Sequence, residues 1–302
     1  MPKRCLRSQP PLPKAVSLKL FSPAKINLFL NVLSKRPDGY HNLDTLFERI
    51  SLGDEIILKN RSSGILLKVS GREVPGDDKN LAFKAAKLLQ EECSVRKGVE
   101  IMLKKHIPVS AGLGGGSSNA ATVLLGLNRL WNLQLPKAKL LKIAAKLGSD
   151  IPFFILETPY ALGRGRGERL IPLKALRKKL WHCLVKPPFG ISTKEAYQGL
   201  SMVRLTPQKA DVRMLLRALK TGDSERLSNL LTNSLELSLN KQLRTIHLIK
   251  KKLVFEGALA SLMSGSGSTV FGLFSSEAKA RKAAQNLKRK NRSWQVFVAA
   301  TY

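Results

Sequence analysis

Long apolar runs are missing from this chain. Stretches such as Ile151–Leu156 are among the longest, far short of the roughly 20 residues a helix needs to cross a bilayer, so no membrane-spanning helix is expected. Cysteine is scarce: Cys5, Cys93 and Cys183 are scattered, and no pair has the spacing of a metal site or a redox motif. His41, His106, His182 and His247 are equally dispersed. These absences argue against a zinc site and fit a reducing compartment, and a cytoplasmic protein is expected. Acids are short as well. Against 52 Lys and Arg stand 21 Asp and Glu, a formal net charge of +31.

A basic surface attracts polyanions and steers anionic substrates, so a nucleic-acid partner has to be weighed. The cations are spread along the chain, with only short clusters such as Arg177–Lys179 and Lys288–Arg292, and no aromatic-plus-basic signature of an RNA-recognition module is present. No nucleic-acid partner is expected. Met1 to Lys19 carries five cations and no acid, and its prolines at 2, 10, 11 and 13 exclude a helix and the apolar core of a secretory signal. Two readings of it stay open: an organellar transit peptide, which would place the protein in the plastid stroma, or a basic, poorly ordered leader over residues 1–15.

What is present is an ordinary hydrophobic content of 43% in 302 residues, enough for two domains with cores of their own. Val16–Phe21 reads as a strand. After a break at Ser22-Pro23, Ile26, Leu28, Leu30 and Val32 alternate with Asn27, Phe29 and Asn31, the period of a half-buried strand. Further strands are expected at Glu55–Lys59, Ile65–Val69 and Val99–Leu103, and helices at Asn80–Cys93, Ser117–Leu130 and Lys137–Leu147. The composition loosens at Gly163-Arg164-Gly165-Arg166-Gly167, a candidate domain boundary. Beyond it come a strand near His182–Val185, helices around Val212–Lys220, Ser224–Leu231 and Lys241–Phe255, strands at Ala258–Met263 and Thr269–Phe274, a helix at Glu277–Lys288 and a last strand at Gln295–Ala300. Strands and helices mix without strict alternation, an α+β pattern.

Between a strand and a helix lies Gly112-Leu113-Gly114-Gly115-Gly116-Ser117-Ser118. Glycines permit positive φ and close approach of a ligand to the backbone. A helix start adds unpaired N–H groups and the positive end of its dipole, and Ser117 and Ser118 add hydroxyls, so a polyphosphate suits the loop. Two commoner phosphate loops do not fit. A P-loop ends in Gly-Lys-Ser/Thr, and no lysine stands here; a dinucleotide fold needs a strand ending in an acid, and here a second helix follows with Lys137 and Lys139. The remaining reading, a plain glycine-rich turn, has four glycines in five positions against it.

The run Ile107-Pro108-Val109-Ser110-Ala111-Gly112-Leu113-Gly114-Gly115-Gly116-Ser117-Ser118-Asn119-Ala120-Ala121 is similar to the nucleotide-binding motif of the GHMP kinases. Other blocks narrow the resemblance to the branch acting on a cytidine diphosphate derivative of methylerythritol. Pro23-Ala24-Lys25-Ile26-Asn27-Leu28 with Arg36-Pro37-Asp38-Gly39-Tyr40-His41 resembles its N-terminal signature, and Gly148-Ser149-Asp150-Ile151-Pro152-Phe153 its catalytic-aspartate segment. Met263-Ser264-Gly265-Ser266-Gly267-Ser268-Thr269-Val270-Phe271 matches the third GHMP motif. The blocks occur in the family's order, and the resemblance runs from about Leu18 to Tyr302. Ser268 stands where many relatives have proline and Ser110 where alanine is frequent; neither change removes a reacting group.

The resemblance implies a two-domain α+β fold, with a ribosomal-protein-like nucleotide-binding domain over 16–162, a ferredoxin-like domain over 163–302, and the active site between them. It implies transfer of the γ-phosphoryl group of ATP, with Mg²⁺, to the 2-hydroxyl of 4-diphosphocytidyl-2-C-methyl-D-erythritol by a monomer or weak homodimer. Such a transfer needs alignment, charge neutralisation and an acceptor for the hydroxyl proton. Asp150 matches the family's aspartate and is the expected base, although a residue preceding Ile151-Pro152 could equally cap a short helix. Lys25 matches the lysine beside it, where a cation pairs with the carboxylate and offsets charge on the transferring group. Asn27 shares the strand face of Lys25 and is expected to touch substrate. Tyr40 and His41 match the cytidine-recognition pair, Thr193 and Tyr197 positions on the other side of the base. Gly265, Ser266 and Gly267 complete the substrate side. Lys105, Pro108 and the loop from Gly112 to Ser118 form the ATP side. Two other readings remain: a GHMP kinase acting on a simpler alcohol such as homoserine or mevalonate, and an RNA-binding protein on a related fold.

Overall fold

The computed structural model describes residues 17–72, 74–173, 179–200, 212–239 and 241–302. The expected leader over residues 1–15 lies outside them. Two long strands, β1 (Ser17–Lys35) and β2 (His41–Arg61), form an antiparallel hairpin that is the spine of a six-stranded sheet. On its other edge β2 is shared. Its later half pairs with β4 (Gly98–Lys104), which pairs in parallel with β3 (Ile65–Ser70); its earlier half pairs with β5 (Tyr160–Gly165), which pairs with β6 (Arg169–Leu173). Between those halves, residues 49–54 of β2 lie against neither strand's ladder, and Asp54 there accepts the amides of His106 and Ile107, in the segment that leads from β4 to the glycine loop.

The expected break at Ser22-Pro23 is a register irregularity within one continuous strand, because the long partner β2 carries the pairing across it. The reading of Ile26–Val32 as half-buried is also corrected. Both faces are covered, and Asn27 and Asn31 are buried polar residues; Phe29 packs in one cluster with Leu184 and Phe271 of the C-terminal half, while Asn27 is enclosed by Lys25 and Thr45 at the floor of a cavity. Leu30 N–H donates to the Thr232 carbonyl at 2.8 Å, and Leu30 forms an isolated bridge with Asn233.

Helices α1 (Leu81–Cys93), α2 (Gly115–Leu130), α3 (Lys137–Leu147) and α4 (Ile151–Leu156) bury their apolar residues with one face of this sheet. The start of α1 is set by Asn80, whose side chain accepts from Ala82 N–H at 2.9 Å, the usual way of satisfying a free helix amide. The second sheet is antiparallel in the order β10 (Gln295–Ala300), β7 (Trp181–Lys186), β9 (Val270–Phe274), β8 (Ala260–Met263). It carries α8 (Leu243–Phe255) and α9 (Glu277–Lys290); α5 (Thr193–Gly199), α6 (Val212–Thr221), α7 (Ser224–Leu230) and a 3-10 turn at Ser234–Ser238 complete the described elements.

A division at residue 162 would cut β5. Sheet membership instead keeps residues up to Leu173 with the first sheet and begins the second at Trp181. Gly163–Gly167 reads as loosened composition because a hairpin turn is there, with Gly165 and Gly167 at positive φ. The two sheets share one core: Leu28, Phe29, Leu46, Ile50 and Tyr160 pack in the same cluster as Leu184, Phe271, Leu273 and Ala299. Each such large side chain contributes about 1.5–3 kcal/mol on burial, so the halves are joined by a hydrophobic seam. Cys93 and Cys183 are free, and burial pushes the Cys183 thiol up to about 12. No helix among the described residues is long and apolar enough to cross a membrane.

Candidate active site

A cavity of about 1210 Å³ opens between the β1–β2 hairpin, the glycine loop and the C-terminal half. Alternation along the two strands supplies its floor. Lys25 and Asn27 of β1 and Thr45 and Phe47 of β2 point into it, as side chains two apart on a strand must. The Lys25 ammonium lies 2.7 Å from Asn27 Oδ1, 3.4 Å from Asp150 Oδ2 and 5.4 Å from the centre of the Phe47 ring. Lys25 is buried, whereas the Asp150 side chain is 36% exposed and faces the cavity. Asp150 does occupy the position before α4, but its side chain makes no capping hydrogen bond. The carboxylate is turned to the lysine instead.

The loop is held against both halves. Lys25 N–H donates to the Leu113 carbonyl at 3.0 Å, and Ser264 Oγ donates to the Gly112 carbonyl at 3.0 Å. Gly112 and Gly114 have φ of +73° and +66°, where L side chains are strained. A Cβ on Gly112 would sit 2.0 Å from the Ser264 carbonyl oxygen. Gly112→Ala is therefore expected to lower the unfolding free energy by about 1–3 kcal/mol for overpacking and about 1–2 kcal/mol for the backbone. Gly116→Ala, whose Cβ meets only Leu81 at 3.4 Å, should cost nothing measurable. Equal midpoints for the two variants in a denaturant titration would contradict this account of the loop.

Helix α2 begins at Gly115, two residues before the expected Ser117. The amides of Gly115, Gly116 and Ser117 thus form its open first turn, and Ser118 N–H is already bonded to the Gly114 carbonyl at 2.8 Å. The expectation for Ser118 is corrected: it is fully buried, does not line the cavity, and shares a hydrogen bond with Ser22 Oγ at 2.8 Å that ties α2 to β1. Lys105 is corrected in part. It borders the cavity beneath Gly115, but its ammonium is bound to Asp54 and, at 2.9 Å, to Asn119 Oδ1. Burial pulls the Lys105 ammonium below the usual lysine range, and the Asp54 charge opposes that pull. Pro108, Gly112, Leu113, Gly114, Gly115, Gly116 and Ser117 all line the cavity.

On the other side Tyr40, His41, Thr193 and Tyr197 come together at one end of the cavity. The His41 ring lies on Tyr197, with centroids 5.2 Å apart and planes at 26°, while the Tyr40 ring is covered by the Arg166 guanidinium at 4.9 Å. Burial, followed by the Asp150 charge, pushes the Tyr197 hydroxyl well above the usual range; burial, followed by Lys35, lowers His41. Thr193 Oγ1 lies 3.2 Å from Ser266 Oγ. Gly265 and Ser266 line the cavity, whereas Gly267 does not and donates its N–H to the Ser264 carbonyl at 2.9 Å; its expected place in the substrate wall is corrected accordingly.

Sequence reading missed Asp54, Asn119, Thr45 and Arg166. Arg166 sits in the β5–β6 turn, within the stretch taken for a boundary; Asn119 lies within the glycine-loop motif but was given no role there, and no motif marks Asp54 or Thr45. Among the lining residues, Lys25, Lys35, Lys79, Lys105, Arg166 and Lys194 face Asp150 as the single carboxylate. Such a wall focuses positive potential on an anionic occupant.

The description "GHMP kinases N terminal domain" matches residues 80–158 and "GHMP kinases C terminal" residues 215–293. A 4-diphosphocytidyl-2-C-methyl-D-erythritol kinase of Pelotomaculum thermopropionicum is 44% identical over 286 residues, covering 92% of this chain and 96% of that protein. A crystal structure of 4-(cytidine 5'-diphospho)-2C-methyl-D-erythritol kinase superimposes with a TM-score of 0.81 at 35% identity, covering 94% of this chain and 98% of that one. Mevalonate kinase of L. major, in complex with R-mevalonate, shares the fold at a TM-score of 0.73 and 18% identity, with 95% and 96% of the two chains covered.

Proposed function

The chain belongs to the GHMP kinases, in the group of 4-diphosphocytidyl-2-C-methyl-D-erythritol kinases, and from that premise we propose that it transfers the terminal phosphoryl group of ATP to the 2-hydroxyl of 4-diphosphocytidyl-2-C-methyl-D-erythritol. This is an alcohol phosphotransferase step of the methylerythritol phosphate route to isoprenoids. The observation that carries the reading is the meeting in one basic cavity of the open first turn of α2, the Lys25–Asp150 pair and the Tyr40–His41–Tyr197 rings.

Phosphoryl transfer asks for positioning and charge stabilisation more than covalent chemistry. The amides of Gly115, Gly116 and Ser117 and the α2 dipole hold the phosphates. Asp150 takes the proton of the acceptor hydroxyl, and Lys25 stabilises the charge that builds on the transferring group. The rings of Tyr40, His41 and Tyr197 hold the cytosine, and Arg166, Lys35 and Lys194 balance the diphosphate.

The donor set fits a metal ion brought in by the nucleotide. Ser117 lines the cavity in the first turn of α2, where its hydroxyl would hold Mg²⁺ together with phosphate oxygens. When bound, the ion neutralises the β- and γ-oxygens of ATP.

The test is an ATP-consumption assay with the cytidylyl substrate, with and without Mg²⁺. Turnover confined to homoserine or mevalonate would overturn the assignment. Tyr40→Ala separates the same possibilities. Losing a base-stacking ring removes about 1–3 kcal/mol of binding, so KM for the cytidylyl substrate should rise by about fivefold to 150-fold while KM for ATP holds. An unchanged KM would remove Tyr40 from substrate recognition.

A further inference from the structure

Thr45 is buried on β2 and lines the cavity without belonging to any motif noted in the sequence. It comes beside Asn27 through a bulge. Asn27 pairs with Phe47 and Phe29 with Leu46, leaving Leu28 as the extra residue on β1; such bulges re-aim side chains next to functional sites. Thr45 Oγ1 lies 2.7 Å from the Phe29 carbonyl oxygen and 2.7 Å from Asn27 Nδ2, and Asn27 Oδ1 lies 2.7 Å from Lys25 Nζ.

The direction of this chain of hydrogen bonds follows from its two ends. A lysine ammonium only donates, and a carbonyl oxygen only accepts. The single hydroxyl proton of Thr45 goes to Phe29, so toward Asn27 the hydroxyl can only accept. The Asn27 amide must then turn its NH₂ to Thr45 and its oxygen to Lys25. Rotating that amide by half a turn would set an NH₂ against the ammonium and leave a buried carbonyl oxygen against a hydroxyl with no proton to offer, two unmet polar contacts in a buried site.

We infer that Thr45 is a positioning residue: it locks the Asn27 amide, and through it holds the Lys25 ammonium at the Asp150 carboxylate. The inference rests on the phosphotransferase reading above and extends it to a residue that touches neither Lys25 nor Asp150 by a hydrogen bond of its own. Phe47 and the loop glycines shape the same cavity, but Thr45 supplies the acceptor for the Asn27 NH₂ and so reinforces from behind the amide orientation that Lys25 requires in front.

The test compares Thr45→Val, which keeps the shape and removes the hydroxyl, with Thr45→Ser, which keeps the hydroxyl. Misplacing a reacting group by about 1 Å can cost about a hundredfold in rate, so Thr45→Val is expected to lower kcat by about tenfold or more with KM for ATP unchanged. Thr45→Ser should restore kcat to within about threefold of the parent. In an Asn27→Leu background, Thr45→Val should cost nothing further, because the relay is already cut. A kcat for Thr45→Val within twofold of the parent would overturn the inference. So would equal losses in Thr45→Val and Thr45→Ser, or a full additional loss in the Asn27→Leu background, since each would assign Thr45 to packing alone. If Thr45→Val fails to give the native circular-dichroism spectrum, Thr45→Ala takes its place in the same comparisons. An inactive parent enzyme would instead strike at the functional reading, and so the two failures are distinguishable.

Discussion

Asp150→Asn is expected to leave the fold intact and reduce phosphoryl transfer by about 10²–10⁴-fold, the range that a positioned general base supplies. The amide has the shape of the carboxylate and none of its basicity. The Asp150 side chain makes no capping hydrogen bond to α4, and its pairing with Lys25 has one partly exposed member, so stability should fall by no more than about 1 kcal/mol, the range of an ion pair open to solvent. A capping role demands the reverse pattern, with stability lost and turnover retained. Lys25→Met makes the complementary test. It keeps the aliphatic stem, which runs beside Gly114, and removes the cation that lies over the Phe47 ring and reaches both Asn27 and Asp150, and about 10²–10³-fold should be lost from kcat, as when a single electrostatic stabiliser is deleted. Near-parental turnover in both variants would end the proposed mechanism.

Asp54→Asn carries the largest expected effect on stability. Asp54 is fully buried and filled on both oxygens: Oδ1 accepts the His106 and Ile107 amides at 2.7 and 2.9 Å, and Oδ2 accepts Asn119 Nδ2 at 2.8 Å and the Lys105 ammonium. An asparagine could keep the two backbone amides, but it would aim its NH₂ at an ammonium and at another NH₂. Breaking a buried pair on one side leaves the other charge uncompensated, at about 3–5 kcal/mol. Because the same carboxylate anchors the backbone at His106–Ile107, just ahead of the glycine loop, KM for ATP should rise along with the loss of stability. A urea titration that places Asp54→Asn within about 1 kcal/mol of the parent would show that Lys105 finds another partner.

The two halves of the candidate site differ in how far they could be read in advance. The loop, its glycines and the start of α2 within two residues were legible because positive φ, close backbone approach and free helix amides are requirements met by a few adjacent residues. Likewise Lys25 and Asn27 could be placed on one face from strand period alone. Which way Ser118 turns was not legible: on a helix that opens a binding site, one serine hydroxyl faces the ligand side and its neighbour faces the sheet, and the start of the helix at Gly115 decides between them. Lys105 read as a phosphate-side cation because its partner Asp54 is far away in sequence, and the strand signal at Glu55–Lys59 says nothing about what Asp54 pairs with. The N-terminal half of β2 and the β5–β6 hairpin were missed for the same reason, since their identity comes from pairing with one another across long stretches of chain.

By itself the sequence determined that a glycine-rich loop suited to a polyphosphate opens a helix, that Lys25 and Asp150 stand in motifs matching one family, and that strands and helices mix in two successive parts. Tertiary structure alone decided that Asp150 turns to Lys25 instead of capping α4, that His41 stacks on Tyr197 while Arg166 covers Tyr40, that Asp54 holds Lys105 and that Thr45 holds Asn27. The physical reason is range. Turn chemistry, helix starts and period are set by neighbours along the chain, whereas the partner of a buried charge or amide is set by whichever strand the sheet brings alongside it.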